Sequence, residues 1–148
     1  MIQKNAYEYA ISLLAKRDYC SFELIKKLKN KGYSLKDIEN TVNRLSSDGV
    51  LRDNEIIINM IKKRLERHPE GRNRLILFLA SKGIPEYVGE KYISSISPER
   101  IAGLFCKWFL EKHISFDKKL LYRSIHSRGL DEDEVQLVLS RIGNNESE

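Results

Sequence analysis

The chain has 148 residues, 41% apolar and 32% charged, with 26 Lys and Arg against 21 Asp and Glu for a net charge of +5. That length suits one compact domain or a short array of small units, and the composition excludes a disordered polymer. No apolar run approaches the roughly 20 residues of a membrane span, and Met1-Ile2-Gln3-Lys4-Asn5 lacks the layout of a secretory signal. The two cysteines, Cys20 and Cys106, build neither a disulfide scaffold nor a four-cysteine zinc site, so a reduced, cytoplasmic setting is expected.

The elements follow in chain order. Tyr7, Ala10, Ile11 and Leu14 recur at i, i+3, i+4 and i+7 and predict a helix over 4–17. Leu24 and Leu28 lead to Lys31-Gly32, the pattern of an amphipathic helix (21–31) closed by a glycine, which takes the left-handed conformation without side-chain cost. Ser34 with Asp37 three residues on opens the next helix, 34–47. The order then returns. Ile57, Ile61 and Leu65 mark 54–67, Leu75 and Leu79 before Lys82-Gly83 mark 71–82, and Pro85 opens 85–95. In the third round Ser97-Pro98 and the stripe Ile101, Leu104, Phe105, Trp108, Phe109 give 98–112. Leu121 and Ile125 before Arg128-Gly129 give 117–128, and Asp131 with Glu134 opens 131–142. Asp53 is expected to cap the helix that starts at 54. Lys31, Lys82 and Arg128 suit the negative ends of their helices. Gly143 to Glu148 reads as a polar tail.

The three glycines lie 51 and 46 residues apart, and their surroundings agree position by position. Eight residues before them stand Leu24, Leu75 and Leu121; four before, Leu28, Leu79 and Ile125; thirteen after, Leu45, Ile96 and Ile142. The chain is therefore expected to be all-α, three tandem three-helix repeats (1–53, 54–96 and 97–148) in an elongated array, straight or curved.

Charge is uneven. Residues 1–130 carry +10, whereas Asp131 onward holds six acids against Arg141 alone, so a polyanion is expected to meet the first two and a half repeats with the acidic end turned away. Three basic clusters are candidate contacts for phosphates or an acidic partner, and each also reads as an ordinary solvated helix face. They are Lys26 and Lys27 with Lys29; Lys62, Lys63, Arg64 and Arg67, continued by Arg72 and Arg74; and Lys118, Lys119 and Arg123. Lys26 and Arg123 lie two residues, about 200°, from an apolar position and are expected to face solvent. His68, His113 and His126 are scattered and make no metal site, and no catalytic constellation or cofactor motif is present.

In the first two repeats Tyr9-Ala10, Arg17, Ser21, Glu23-Leu24, Leu28 and Lys31-Gly32-Tyr33 are followed by Leu45, Gly49, Leu51 and Asp53. Arg64, Gly71, Leu75, Leu79 and Lys82-Gly83-Ile84 come next. In order and spacing this resembles the RecX family, small regulators of the RecA recombinase, over about residues 6 to 96; the third repeat joins by its repeat pattern. The resemblance implies a non-enzymatic, cofactor-free monomer that binds RecA filaments on DNA along their groove, with contacts to single- or double-stranded DNA. It would damp strand exchange, ATP hydrolysis and repressor cleavage. The competing reading is a helix-turn-helix protein that reads duplex DNA through Asn40, Asn43, Arg44, Gln136 and Arg141 on the third helices.

Overall fold

The computed structural model describes residues 3–113 and 117–146, with side chains as far as Ile142; the end of the expected polar tail lies outside the described residues. Among the described residues there are nine helices and no strand. The first unit contains α1 (Ala6–Leu14), α2 (Ser21–Lys31) and α3 (Leu35–Ser47), and the second α4 (Asp53–Arg67), α5 (Arg72–Ser81) and α6 (Glu86–Ile93). The third contains α7 (Pro98–Lys112), α8 (Lys118–Ser127) and α9 (Glu132–Glu146).

Two helices differ most from expectation. Helix α1 is shorter than 4–17. Asn5 caps it by accepting the Glu8 N–H at 2.8 Å, and beyond its C-terminus Arg17 folds back onto the Asp18 carbonyl, the Glu23 carboxylate and the Tyr19 ring. Helix α9 runs past 142 to Glu146.

The glycine register holds. Gly32, Gly83 and Gly129 have φ of 100°, 87° and 62°, where a side chain is strained. The residue after each donates its N–H five residues back, Tyr33 to Leu28, Ile84 to Leu79 and Leu130 to Ile125, closing the last helical turn. Leu24, Leu28, Leu75, Leu79, Leu121 and Ile125 are all buried at equivalent places.

Each unit has its own apolar cluster, and the middle one borrows from both neighbours: Cys20 from the start of α2 and Ile101 from α7 pack with Ile57, Ile61, Leu75 and Leu79. Units this small bury little alone, so sharing residues across the boundaries stabilises the array. The chain exposes 9784 Å², against about 7,800 Å² for a compact monomer of this mass, which is the signature of an elongated molecule.

Polar contacts fasten both boundaries. Asp53 does not cap its own helix: it lies within the first turn of α4, with Arg52 at the cap position. Its carboxylate instead crosses to the first unit, accepting the Ser21 N–H at 2.6 Å and the Ser21 hydroxyl. The Ser21 N–H is one of the donors that the first turn of α2 leaves without a partner inside the helix, and Asp53 supplies its acceptor. Lys26, expected in open solvent, keeps an exposed stem but donates its Nζ to the Ser81 carbonyl at 2.7 Å.

At the second boundary Arg72 donates to the Ile93 and Ile96 carbonyls at 3.1 and 3.0 Å and lies 3.6 Å from the Asp131 carboxylate. Its backbone N–H meets the buried Glu134 carboxylate at 3.3 Å. Arg74 donates to the Ser127 carbonyl at 3.0 Å. The first turn of α9 is thus joined to the middle unit through Asp131 and Glu134, while Glu132 and Asp133 stay exposed. Burial pushes the Glu134 carboxyl above the ordinary carboxylate range in spite of its hydrogen bonds.

Cys20 has no solvent exposure, and burial pushes its thiol up to about 11. A neutral thiol is a poor nucleophile. In the native protein at neutral pH, Cys20 should resist a disulfide reagent and react on addition of denaturant; thiol counting with and without urea checks this.

Candidate partner interface

Helical geometry divides the densest basic cluster. On α4, Met60, Lys63, Arg64 and Arg67 are spaced at i, i+3, i+4 and i+7 and share a face, while Ile58, Lys62 and Leu65 share another. The first face forms one wall of a groove of about 480 Å³, completed by Arg17 and Glu23 from the first unit and by His68, Phe78 and Lys82. Lys62 points to a smaller apolar cleft with Ile58, Tyr92, Ile96 and Arg100. Arg72 and Arg74 are engaged at the boundary with the third unit.

The groove is built around two buried carboxylates. Glu70, 2% exposed, accepts from Arg64 Nε at 2.7 Å and also lies 3.6 Å from Arg74. Glu23, 4% exposed, accepts from Arg17 at 3.0 Å and from the Cys20 N–H at 3.3 Å. Burial disfavours the Arg17 cation, but Glu23 outweighs it and holds the guanidinium above its ordinary value. Arg17 and Arg64 are thereby fixed, and their charges are balanced by Glu23 and Glu70. Lys63, Arg67 and Lys82 form no ion pair among the described residues and leave the groove positive. Arg64 lies 4.7 Å and Lys82 5.9 Å from the centre of the half-buried Phe78 ring, so the wall offers an aromatic surface beside the cations.

The cluster expected from sequence lacked Arg17, Lys82 and Phe78. The available signal was the i, i+4 spacing of Phe78 and Lys82, which sets a cation over a ring. In the other two units the pre-glycine cation also stands over a ring, but one supplied by the unit's first helix and not by i, i+4 spacing: Lys31 lies 5.3 Å from the Tyr9 ring centre and Arg128 4.1 Å from that of Trp108. The pre-glycine cations therefore brace aromatic side chains as well as suiting their helix ends.

The other candidates lie elsewhere. Lys27 is exposed on α2. Lys118, Lys119 and Arg123 are exposed on α8 around Tyr122, beyond the second boundary. Arg44, a candidate base reader, stacks 3.8 Å from the Tyr7 ring centre. No helix of the described residues is long and apolar enough to cross a membrane.

Comparison with known proteins agrees with this architecture. Residues 6–45 match the family model for the RecX first three-helix domain. The regulatory protein RecX of Pelodictyon phaeoclathratiforme is 30% identical over 143 residues, covering 91% of this chain and 87% of that protein. Its counterpart from Chlorobium phaeobacteroides is 28% identical over 142 residues, 94% of each. The crystal structure of RecX from Lactobacillus salivarius superposes with a TM-score of 0.75 at 16% identity, over 93% of this chain and 94% of that one, and so shares the fold. By its nearly full-length similarity to these regulatory proteins and its three-helix units, this chain belongs to the RecX family.

Proposed function

We propose that this protein binds RecA filaments on DNA in the cytoplasm and damps their strand exchange, ATP hydrolysis and promotion of repressor cleavage, acting as a monomer and catalysing no reaction itself. The observation that carries the reading is the α4–α5 groove. Lys63, Arg67 and Lys82 stand there without carboxylate partners among the described residues, beside two arginines already fixed in position and the Phe78 ring. Such a surface suits an anionic partner, and its fixed arginines lose little freedom on binding. The groove lies across the first unit boundary, which lets an elongated array lie along an elongated partner.

The test is RecA ATP hydrolysis on single-stranded DNA. The K63E/R67E/K82E variant should need at least roughly tenfold more protein for the same inhibition, as expected when several charged contacts of about 1 kcal/mol each are lost. Its helicity should stay close to native, since none of the three side chains belongs to an apolar cluster; the loss of Lys82 from its helix end and from the Phe78 ring should cost about 1 kcal/mol of stability. Inhibition equal to that of the unaltered protein would remove the groove from the working surface.

A further inference from the structure

The middle unit departs from the repeat at its end. Helix α7 begins at Pro98, 15 residues after Gly83, whereas α4 begins 21 residues after Gly32. The residue before a proline avoids helical backbone, and Ser97 is extended where it caps α7. Helix α6 therefore stops after 8 residues, against 13 in α3 and 15 in α9. In the outer units the third helix packs along the first, α3 on α1 and α9 on α7, whereas α6 packs chiefly on α5. The missing turns show at the position thirteen residues after each glycine. Leu45 and Ile142 are buried there, but Ile96 lies beyond the end of α6 and is only half-buried.

A strip of α4 is left uncovered as a result. Ile58 is 55% exposed and borders a cleft of about 190 Å³ with Ile61, Leu65, Tyr92, Ser95 and Ile96. Two of its walls are fixed from outside: the Tyr92 hydroxyl donates to the Asn54 side chain, and Arg72 donates to the Ile96 carbonyl at 3.0 Å. Lys62 and Arg100 complete the lining, and both are exposed. No acid lines the cleft, and neither cation forms an ion pair among the described residues.

Size and charge select the occupant. The cleft is smaller than the roughly 300–1,000 Å³ of a small-molecule pocket and suits one or two apolar side chains. A nucleic-acid strand fits poorly, because its phosphates would be desolvated against Ile58 and Ile96. A protein segment fits well. Its apolar side chain would enter where the last turns of a longer third helix would lie, and carboxylates on either side would meet Lys62 and Arg100.

We propose that the cleft between α4, the end of α6 and α7 is a docking site for an acidic peptide segment of a partner protein, anchored by one large apolar side chain. It lies on a different face of α4 from Lys63 and Arg67, and its test uses no filament, so it stands or falls apart from the filament reading. A phage-displayed library of random dodecapeptides is selected on the K63E/R67E/K82E protein, in which the α4–α5 groove no longer attracts acids. The recovered peptides should carry a large aliphatic or aromatic residue flanked by aspartate or glutamate. The most frequent one, synthesised with a fluorescent label, should bind the unaltered protein in anisotropy titrations. Alanine in place of its apolar residue should weaken binding roughly tenfold or more. I58D and K62E/R100E should each weaken it by a similar factor, roughly tenfold. Both variants should keep native circular dichroism, because Ile58, Lys62 and Arg100 are exposed. K118E/K119E/R123E should bind the peptide as the unaltered protein does. Recovery of no shared acidic and apolar pattern, or unchanged binding by I58D, would overturn the proposal. So would self-association in sedimentation that I58D abolishes, since a second copy would then fill the cleft.

Discussion

Replacing Gly71 with alanine should detach the third unit from the second. The backbone of Gly71 lies directly against the turn of the next unit: its N–H donates to the Arg128 carbonyl at 2.8 Å, and an added Cβ would land on the Gly129 carbonyl and the Leu130 Cα. Both obstacles are backbone and cannot rotate away, so the cost should reach or exceed the upper end of the ~1–3 kcal/mol typical of overpacking. Relief requires the start of α5 to move off the Gly129 turn, which breaks the contacts of Arg72 with Asp131 and Glu134 and of Arg74 with Ser127. Trp108 is the one tryptophan and packs in the third unit, so its fluorescence follows that unit while circular dichroism follows the whole chain. In urea the two signals should separate in the Gly71→Ala protein. The comparison is Gly32→Ala, at a turn with nothing within 4 Å. It should cost only the ~1–2 kcal/mol of a left-handed alanine and leave the two signals coincident. Coincident transitions in Gly71→Ala at unchanged midpoint would show that the boundary tolerates a side chain.

Leu79→Ala should lower the stability of the array by about 2–5 kcal/mol, the range for truncating a fully buried leucine. Leu79 has no exposed surface and sits in the middle cluster, which also holds Cys20 of the first unit and Ile101 of the third. It packs close to α6 at Gly89, where an added Cβ would stand 3.4 Å from Leu79 Cδ1, so both helices would border the resulting cavity. Leu28 occupies the same place before Gly32 and is equally buried. Leu28→Ala should fall in the same range, but without loosening a core shared by all three units. Against a typical total of about 5–15 kcal/mol, either loss is a large share. Urea midpoints read by circular dichroism give both values, and a loss below about 0.5 kcal/mol for Leu79→Ala would place its side chain on the surface.

The sequence by itself determined the elements and their repetition. Apolar residues at helical spacing, start signals such as Ser34 with Asp37 and Ser97-Pro98, and a basic residue before a left-handed glycine are local signals. Each acts within a few residues, and each gives the same answer in three copies. That is why the helices, the glycine turns and the buried positions of Leu24, Leu75 and Leu121 could be read from one chain.

Tertiary structure decided what each polar group does. Asp53 has the type and place of a helix cap, yet its carboxylate serves Ser21, 32 residues earlier. Arg72 and Glu134 meet across 62 residues, and Lys26 finds Ser81 across 55. No spacing rule encodes such pairs, because they depend on how one three-helix unit seats on the next. The basic cluster around α4 was legible as composition, but the rotation of the helix sent Lys62 to one side and Lys63 and Arg67 to the other. Packing then brought Arg17 and Lys82 to join the second group. Local periodicity fixes which face of a helix is apolar; only the arrangement of neighbouring units decides which cations are consumed in holding the array together and which remain for a partner.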